Sequence, residues 1–159
     1  MKPLEILVLG ASGQIGRHLL RNLTRNNFKV TAITRNLHTK GYILKSQANA
    51  GWLQIVELNY FDYEKLKKVF ENKDICINLI GILNETNNSS FHNIHCILPQ
   101  KFAQLAKENG LKQFIHLSAL GLENAKDSKY ANSKVNGENA VKKNFDKYII
   151  LKPSVVYSQ

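Results

Sequence analysis

The sequence is sparing with several residue types and patterns, and each shortage excludes something. Its two cysteines, Cys76 and Cys96, match no metal or redox spacing. No disulfide framework is expected, and both read as free, buried thiols in a reducing, cytoplasmic setting. Apolar runs stop well short of the ~20 residues a membrane span needs. The chain reads as strand almost from its first residues, so no signal or transit segment is expected. There is no arginine-rich run, no zinc spacing and no RNA-binding aromatic motif, which argues against nucleic acid as a partner. His92, His95 and His116 have no carboxylates or cysteines placed to complete a ligand set, and no metal is expected. Acidic residues are few, 12 against 22 basic ones, for a net charge of +10. That imbalance bears on partners rather than fold and by itself suits nucleic acid, acidic lipid, an acidic protein or the phosphates of a cofactor. The scattered lysines, Lys65, Lys67, Lys101 and Lys142 among them, read most simply as solvated helix faces.

What is present begins with Ile6 to Leu9, a short apolar run that reads as a buried strand. It breaks at Gly10, and from Gln14 the apolar residues Ile15, Leu19, Leu20 and Leu23 recur at helical spacing. The turn between them is Gly10-Ala11-Ser12-Gly13-Gln14-Ile15-Gly16. Gly10 permits a tight turn, Gly13 lets backbone approach a pyrophosphate, and Gly16 lets the helix pack close to the strand. Free N–H groups at a helix start carry partial positive charge and suit phosphates. The spacing is G-x-x-G-x-x-G, which an ordinary tight turn can also produce.

Further strands are expected at Lys29–Thr34, Trp52–Leu58, Asp74–Ile80, Lys112–Ser118 and Tyr148–Leu151. Helices are expected as a short segment within the weakly periodic Leu37–Ala50, from Asp62 as cap to Phe70, at Phe91–Asn109 with Pro99 as kink or true start, and from Asp127 to Lys143. Asn84 to Ser90 reads as a loop, and Trp52 as core. Strands alternating with helices imply α/β architecture, a doubly wound parallel sheet of about six strands with helices on both faces. No repeat or linker interrupts it, and 159 residues suit one domain spanning 1–159. Ligands bind such sheets beyond the carboxyl ends of the strands. Attention therefore falls on Gly10 to Gly16, Arg35, Asn59, Gly81 and Ser118.

Arg35 follows the second strand. An acid there would accept the ribose hydroxyls of NAD, whereas a cation suits the 2′-phosphate of NADP. Thr34, Arg35 and Asn36 include no acid, so NADP is the preferred cofactor and NAD a possible one; an exposed surface arginine is the plainer alternative. Tyr130 and Lys134 stand four apart on one helix face. A nearby ammonium would favour phenolate and lower the tyrosine pKa, making Tyr130 a candidate general acid or base. The same spacing occurs at Tyr63/Lys67 and Tyr148/Lys152. Only Tyr130/Lys134 lies on the helix after strand five, downstream of Ser118.

Together the glycine turn, Asn78-Leu79-Ile80-Gly81, Ser118, Tyr130/Lys134 and Lys152-Pro153-Ser154-Val155-Val156-Tyr157 resemble the short-chain dehydrogenase/reductase superfamily. The likeness is to its extended and atypical members, which include NAD(P)-dependent epimerases and dehydratases. Asn78 to Leu83, the helix around His95, Phe114 to Gly121 and Tyr130 to Glu138 are similar to one branch. That branch holds the nucleotide-binding accessory subunit of respiratory complex I, NADH:ubiquinone oxidoreductase, and bacterial relatives. The resemblance implies Tyr130 as catalytic acid/base and Lys134 as its tuner and holder of the nicotinamide ribose. It implies Ser118 orienting a substrate oxygen, and Asn59, Gly81 and Pro153 near the cofactor. Asn59 stands where an aspartate is common, and Ser158 where glycine usually follows the tyrosine. The superfamily's C-terminal substrate lobe is absent from these residues. Three roles follow: a non-turnover nucleotide-binding domain assisting a respiratory complex, peripheral to the inner membrane; a working NADP-dependent reductase or epimerase; or a truncated product. Self-association or a covering partner is expected in the first.

Overall fold

A computed structural model describes residues 2–49, 51–87 and 89–156. Tyr157 and Ser158, which the sequence comparison singles out, lie outside the described residues. Six parallel strands form one sheet: β1 (Glu5–Leu9), β2 (Lys29–Thr34), β3 (Leu53–Glu57), β4 (Ile75–Asn78), β5 (Gln113–Leu117) and β6 (Tyr148–Leu151). Their order is β3-β2-β1-β4-β5-β6. The chain reverses direction across the sheet between β1 and β4, and the crevice opens there.

β1 is central, and Ile6 to Leu9 are buried on both faces. Alternation along the strand sends Ile6 and Val8 toward one helical layer and Leu7 and Leu9 toward the other. The first layer is α1 (Gln14–Arg25) and α2 (Leu37–Lys45), whose Leu20 and Leu44 pack on Ile6, Val8, Val30 and Ala32. The second is α3 (Tyr63–Phe70), α4 (Leu98–Glu108) and α5 (Lys129–Asn144), joined to Leu7 and Leu9 through Leu66, Phe70, Phe102 and Val141. At the β6 edge, Ile149 and Leu151 share the α1–α2 side of the sheet with Ile115 and Leu117, their neighbours in register. They stay 39% and 48% exposed.

Each predicted strand is present, with β4 ending at Asn78 rather than Ile80. The segment from Phe91 is not one uniform helix. Residues Asn93–Ile97 form a single wide π turn within a continuous helical run, and α4 follows it with Pro99 in its first turn. Ser128 caps α5, which begins at Lys129 rather than Asp127, by accepting from the Ala131 N–H. Trp52 is half-buried at the start of β3 rather than in the core. Both thiols are free; Cys76 is buried, but Cys96 on the π turn is partly exposed.

Candidate functional site

At the carboxyl ends of β1 to β4 lies a cleft of about 460 Å³. Its lining includes Gly10, Ser12, Gly13, Arg35, Asn59 and Gly81, all singled out in the sequence. Gly10 has φ +80°, and a Cβ there would stand 3.0 Å from the backbone of Leu79 and Ile80. Only glycine lets the first turn lie against the segment leaving β4. Gly16 performs the same service for α1, since a Cβ would stand 2.5 Å from the Ala11 carbonyl oxygen. Ala11, Gln14, Ile15 and Gly16 therefore build the turn and do not line the cleft. Among the described residues no side chain caps α1 at Gly13, and its first turn holds no acid. An uncapped helix start with its positive end facing a cleft is the arrangement a pyrophosphate fits.

Arg35 is exposed at the cleft wall. Its neighbours are committed elsewhere: Asn36 caps α2 by accepting from the Thr39 N–H at 3.0 Å, and the Thr34 hydroxyl is within 3.3 Å of the Asn36 backbone. Asn59 turns its side chain onto its own loop, accepting from the Phe61 N–H at 3.1 Å. Tyr60, which sequence reasoning missed, is buried, and its hydroxyl accepts from the Gly10 N–H at 3.2 Å. Burial raises the Tyr60 phenol above its ordinary pKa, with the Gly10 N–H and the Arg35 charge opposing.

Leu79 to Ile82 form a wall shared with a second hollow of about 150 Å³, lined by Ser118, Tyr130 and Lys134. The three candidate catalytic residues are thus brought together beside the main cleft. Pro153 is not in either lining; its carbonyl accepts from the Leu120 N–H at 2.9 Å, tying the segments after β5 and β6.

The chemistry within this hollow differs from the expectation in one respect. The Lys134 ammonium donates to the Leu117 carbonyl at 2.8 Å. Burial lowers Lys134 to about 8, with Glu138 opposing. The Tyr130 phenol is raised, not lowered, because partial burial disfavours phenolate and Lys134 is turned to the β5 backbone. Ser118 donates its hydroxyl proton to Glu138 at 2.6 Å, and the other Glu138 oxygen meets Lys152 at 3.0 Å. Ser118 consequently faces a ligand as an acceptor. Glu138 was legible only as a charge four residues after Lys134, on the stripe that α5 buries.

Two buried histidines hold the frame. The Ile82 N–H donates to His95 Nε2 at 3.0 Å, so His95 carries its proton on Nδ1 and gives it to Ser133 Oγ at 2.8 Å. Ser133 in turn donates to the Tyr130 carbonyl at 2.7 Å. This chain joins the shared wall to the first turn of α5, and the rings of Phe91 and His95 flank Tyr130 edge-on. Desolvation, aided by the Lys134 charge, lowers His95 to about 4. Asn78 and His116 are register partners on β4 and β5. Asn78 Oδ1 accepts from Ile80, so its amide donates to His116 Nδ1 at 3.1 Å. His116 Nε2 then carries a proton with no partner among the described residues.

Comparison with known proteins agrees with this geometry. A family model described as NAD(P)H-binding matches residues 10–159. NADH dehydrogenase (ubiquinone) 1 alpha subcomplex subunit 9 of Mus musculus is 32% identical over 152 residues, covering 96% of this chain and 40% of that protein. The NADH-ubiquinone oxidoreductase 40 kDa subunit of Neurospora crassa is 25% identical over 150 residues, covering 94% and 40%. The chain thus spans two fifths of the length of these relatives. Among solved structures, a Bacillus halodurans protein described as an NAD-dependent epimerase/dehydratase superposes with TM-score 0.83 at 24% identity, covering 98% of this chain and 72% of that one. UDP-glucuronic acid 4-epimerase of Bacillus cereus, in complex with NAD, gives TM-score 0.80 at 24% identity, covering 97% and 57%. At that identity the structures establish the shared fold.

Proposed function

Because the chain belongs to the NAD(P)H-binding family, we propose that it serves as a nucleotide-binding domain that prefers NADP(H) to NAD(H). Its role is then non-turnover, in or beside a respiratory NADH:ubiquinone oxidoreductase, the complex of which the proteins it is similar to are named as subunits. The observation that carries the preference is Arg35, a cation at the cleft wall beside two residues whose side chains are already engaged. Among the described residues no helix is long and apolar enough to cross a membrane, which suits a peripheral position. Support for the non-turnover role comes from Ser118 and Lys134, both bonded to protein groups.

Charge-assisted bonds to a 2′-phosphate contribute on the order of 1.5–3 kcal/mol, or roughly ten- to a hundred-fold in affinity. Titration calorimetry with NADPH and NADH should show that gap, and Arg35→Ala should erase it. Equal affinities, or a preference for NADH, would overturn the assignment.

A second reading, an NADP-dependent reductase or epimerase, is favoured by the shared hollow of Ser118, Tyr130 and Lys134. A bound nicotinamide supplies hydride transfer in such enzymes. This chain would contribute the phenol of Tyr130 as proton donor or acceptor and Ser118 as the group that accepts from a ligand hydroxyl.

A further inference from the structure

Charge is distributed very unevenly along the chain. Between Glu5 and Glu57 there is no aspartate or glutamate, yet seven cations occur there, and all four arginines of the protein fall between positions 17 and 35. Elsewhere the basic residues are all lysines, and the 12 acids are interspersed with them. The fold gathers this acid-free stretch into the α1–α2 layer. Arg17, Arg21 and Arg25 follow one another at four-residue spacing on α1, all exposed, opposite the buried Leu20 and Thr24. Arg21 donates to Gln47 at 2.5 Å and the Asn49 N–H donates to Thr24 at 3.3 Å, so the end of α2 is tied to the middle of α1. That end carries exposed Lys45 and, one turn earlier, Tyr42, which is 81% exposed. Among the described residues the one ion pair in this stretch is Lys29 with Glu5, at 3.7 Å. The opposite layer, in contrast, pairs Lys65, Lys142 and Lys152 with its own carboxylates.

We infer that the α1–α2 face is a docking surface for a protein partner that presents a carboxylate-rich patch. Nucleotide binding accounts for Arg35 at the cleft, but Arg21, Arg25, Tyr42 and Lys45 do not line it. Arginine and tyrosine are enriched in protein interfaces, where lysine is depleted, and guanidinium groups engage carboxylates in bidentate pairs. An anionic lipid surface attracts lysine as readily as arginine. A membrane-seated face would also bring several apolar side chains to insert; α1 exposes none, and α2 adds only Leu37 at its first residue and the amphipathic Tyr42. The inference stands whichever dinucleotide the cleft holds.

The test uses the full chain, isotopically labelled, with two probes: a synthetic helical peptide bearing glutamates at four-residue spacing, and phosphatidylcholine vesicles containing phosphatidylglycerol. Amide shifts on adding the peptide should map to α1 and α2. Arg21→Glu with Arg25→Glu should weaken its affinity about tenfold or more, while the NADPH affinity measured in parallel stays at the parent value. Arg21→Lys with Arg25→Lys preserves the charge and the fold and should still weaken it several-fold, because the bidentate geometry is lost. Shifts spread equally over the lysines of α3 to α5, or lysine variants that bind as the parent does, would overturn the inference. So would vesicle binding that depends on Arg21 and Arg25 while the peptide leaves α1 and α2 unperturbed, since the face would then belong to a lipid surface.

Discussion

Ser118 gives its proton to Glu138, and Lys134 spends one of its three donors on the Leu117 carbonyl. What stays available in the hollow is one phenol, two ammonium protons and the lone pairs of a hydroxyl. A ligand meeting Ser118 must therefore donate to it, which favours a hydroxyl over a carbonyl at that atom. If the chain turns over a substrate, Tyr130→Phe should abolish turnover and leave dinucleotide affinity nearly unchanged, because only the proton-transferring group is removed. Lys134→Ala should reduce both. A screen of NADPH oxidation against quinones, aldehydes and ketones, with calorimetry in parallel, reads both quantities. A Tyr130→Phe protein as active as its parent would remove that residue from the chemistry.

At the scale of elements, the joint that matters is between α5 and the π turn that precedes α4. The wide turn presents the His95 carbonyl to α5 so closely that a Cβ on Gly137 would stand within 1.8 Å of its oxygen. Backbone cannot move aside as a flexible side chain would, so one added methyl must push the two elements apart. Gly137→Ala should therefore cost about 1–3 kcal/mol of stability, the usual range for overpacking and opposite to the gain alanine normally brings inside a helix. Urea unfolding of the variant checks this. The same displacement would disturb the His95–Ser133–Tyr130 chain, so a weaker hold on the Leu79 to Ile82 wall should accompany it. A variant as stable as the parent would show that the approach is looser than it stands here.

For the molecule as a whole, acid should act first through its buried histidines. His95 is lowered to about 4 and His116 to about 3 from an ordinary 6.5, chiefly by desolvation. The unfolded chain binds these protons first as pH falls, so the neutral, buried rings contribute stability that is complete above pH 6.5. It is lost progressively toward pH 4 for His95 and pH 3 for His116. Asp62 and Asp74, whose pKa values are lowered from 3.8 by partners at Lys65, Glu5 and Lys112, lose their contribution only below that value. The window between pH 6.5 and 4 thus belongs to the histidines. Urea midpoints measured across it should fall steadily, and His95→Gln should flatten the upper part of the fall. A midpoint constant from pH 7 to 4 would show that both rings protonate without penalty.

The sequence alone was enough for the six strands, their alternation with helices, the glycine turn and the position of Arg35 at a strand's end. These follow from local causes, namely apolar runs, periodicity, glycine's freedom and the rule that ligands lie beyond carboxyl ends. Local patterning also told Tyr130/Lys134 from two other pairs with identical spacing, since only one lies on the helix after the fifth strand. It did not tell which way a side chain would turn once packed. That Ser118 serves Glu138, that Lys134 faces the β5 backbone and leaves the Tyr130 phenol raised, and that Tyr60 braces Gly10 from 50 residues away were decided by tertiary contacts. The two bonds that His95 makes from the π turn, to Ile82 and to Ser133, are likewise tertiary. Hydrogen bonds and desolvation depend on neighbours distant in sequence, and a single chain's spacing holds no record of them.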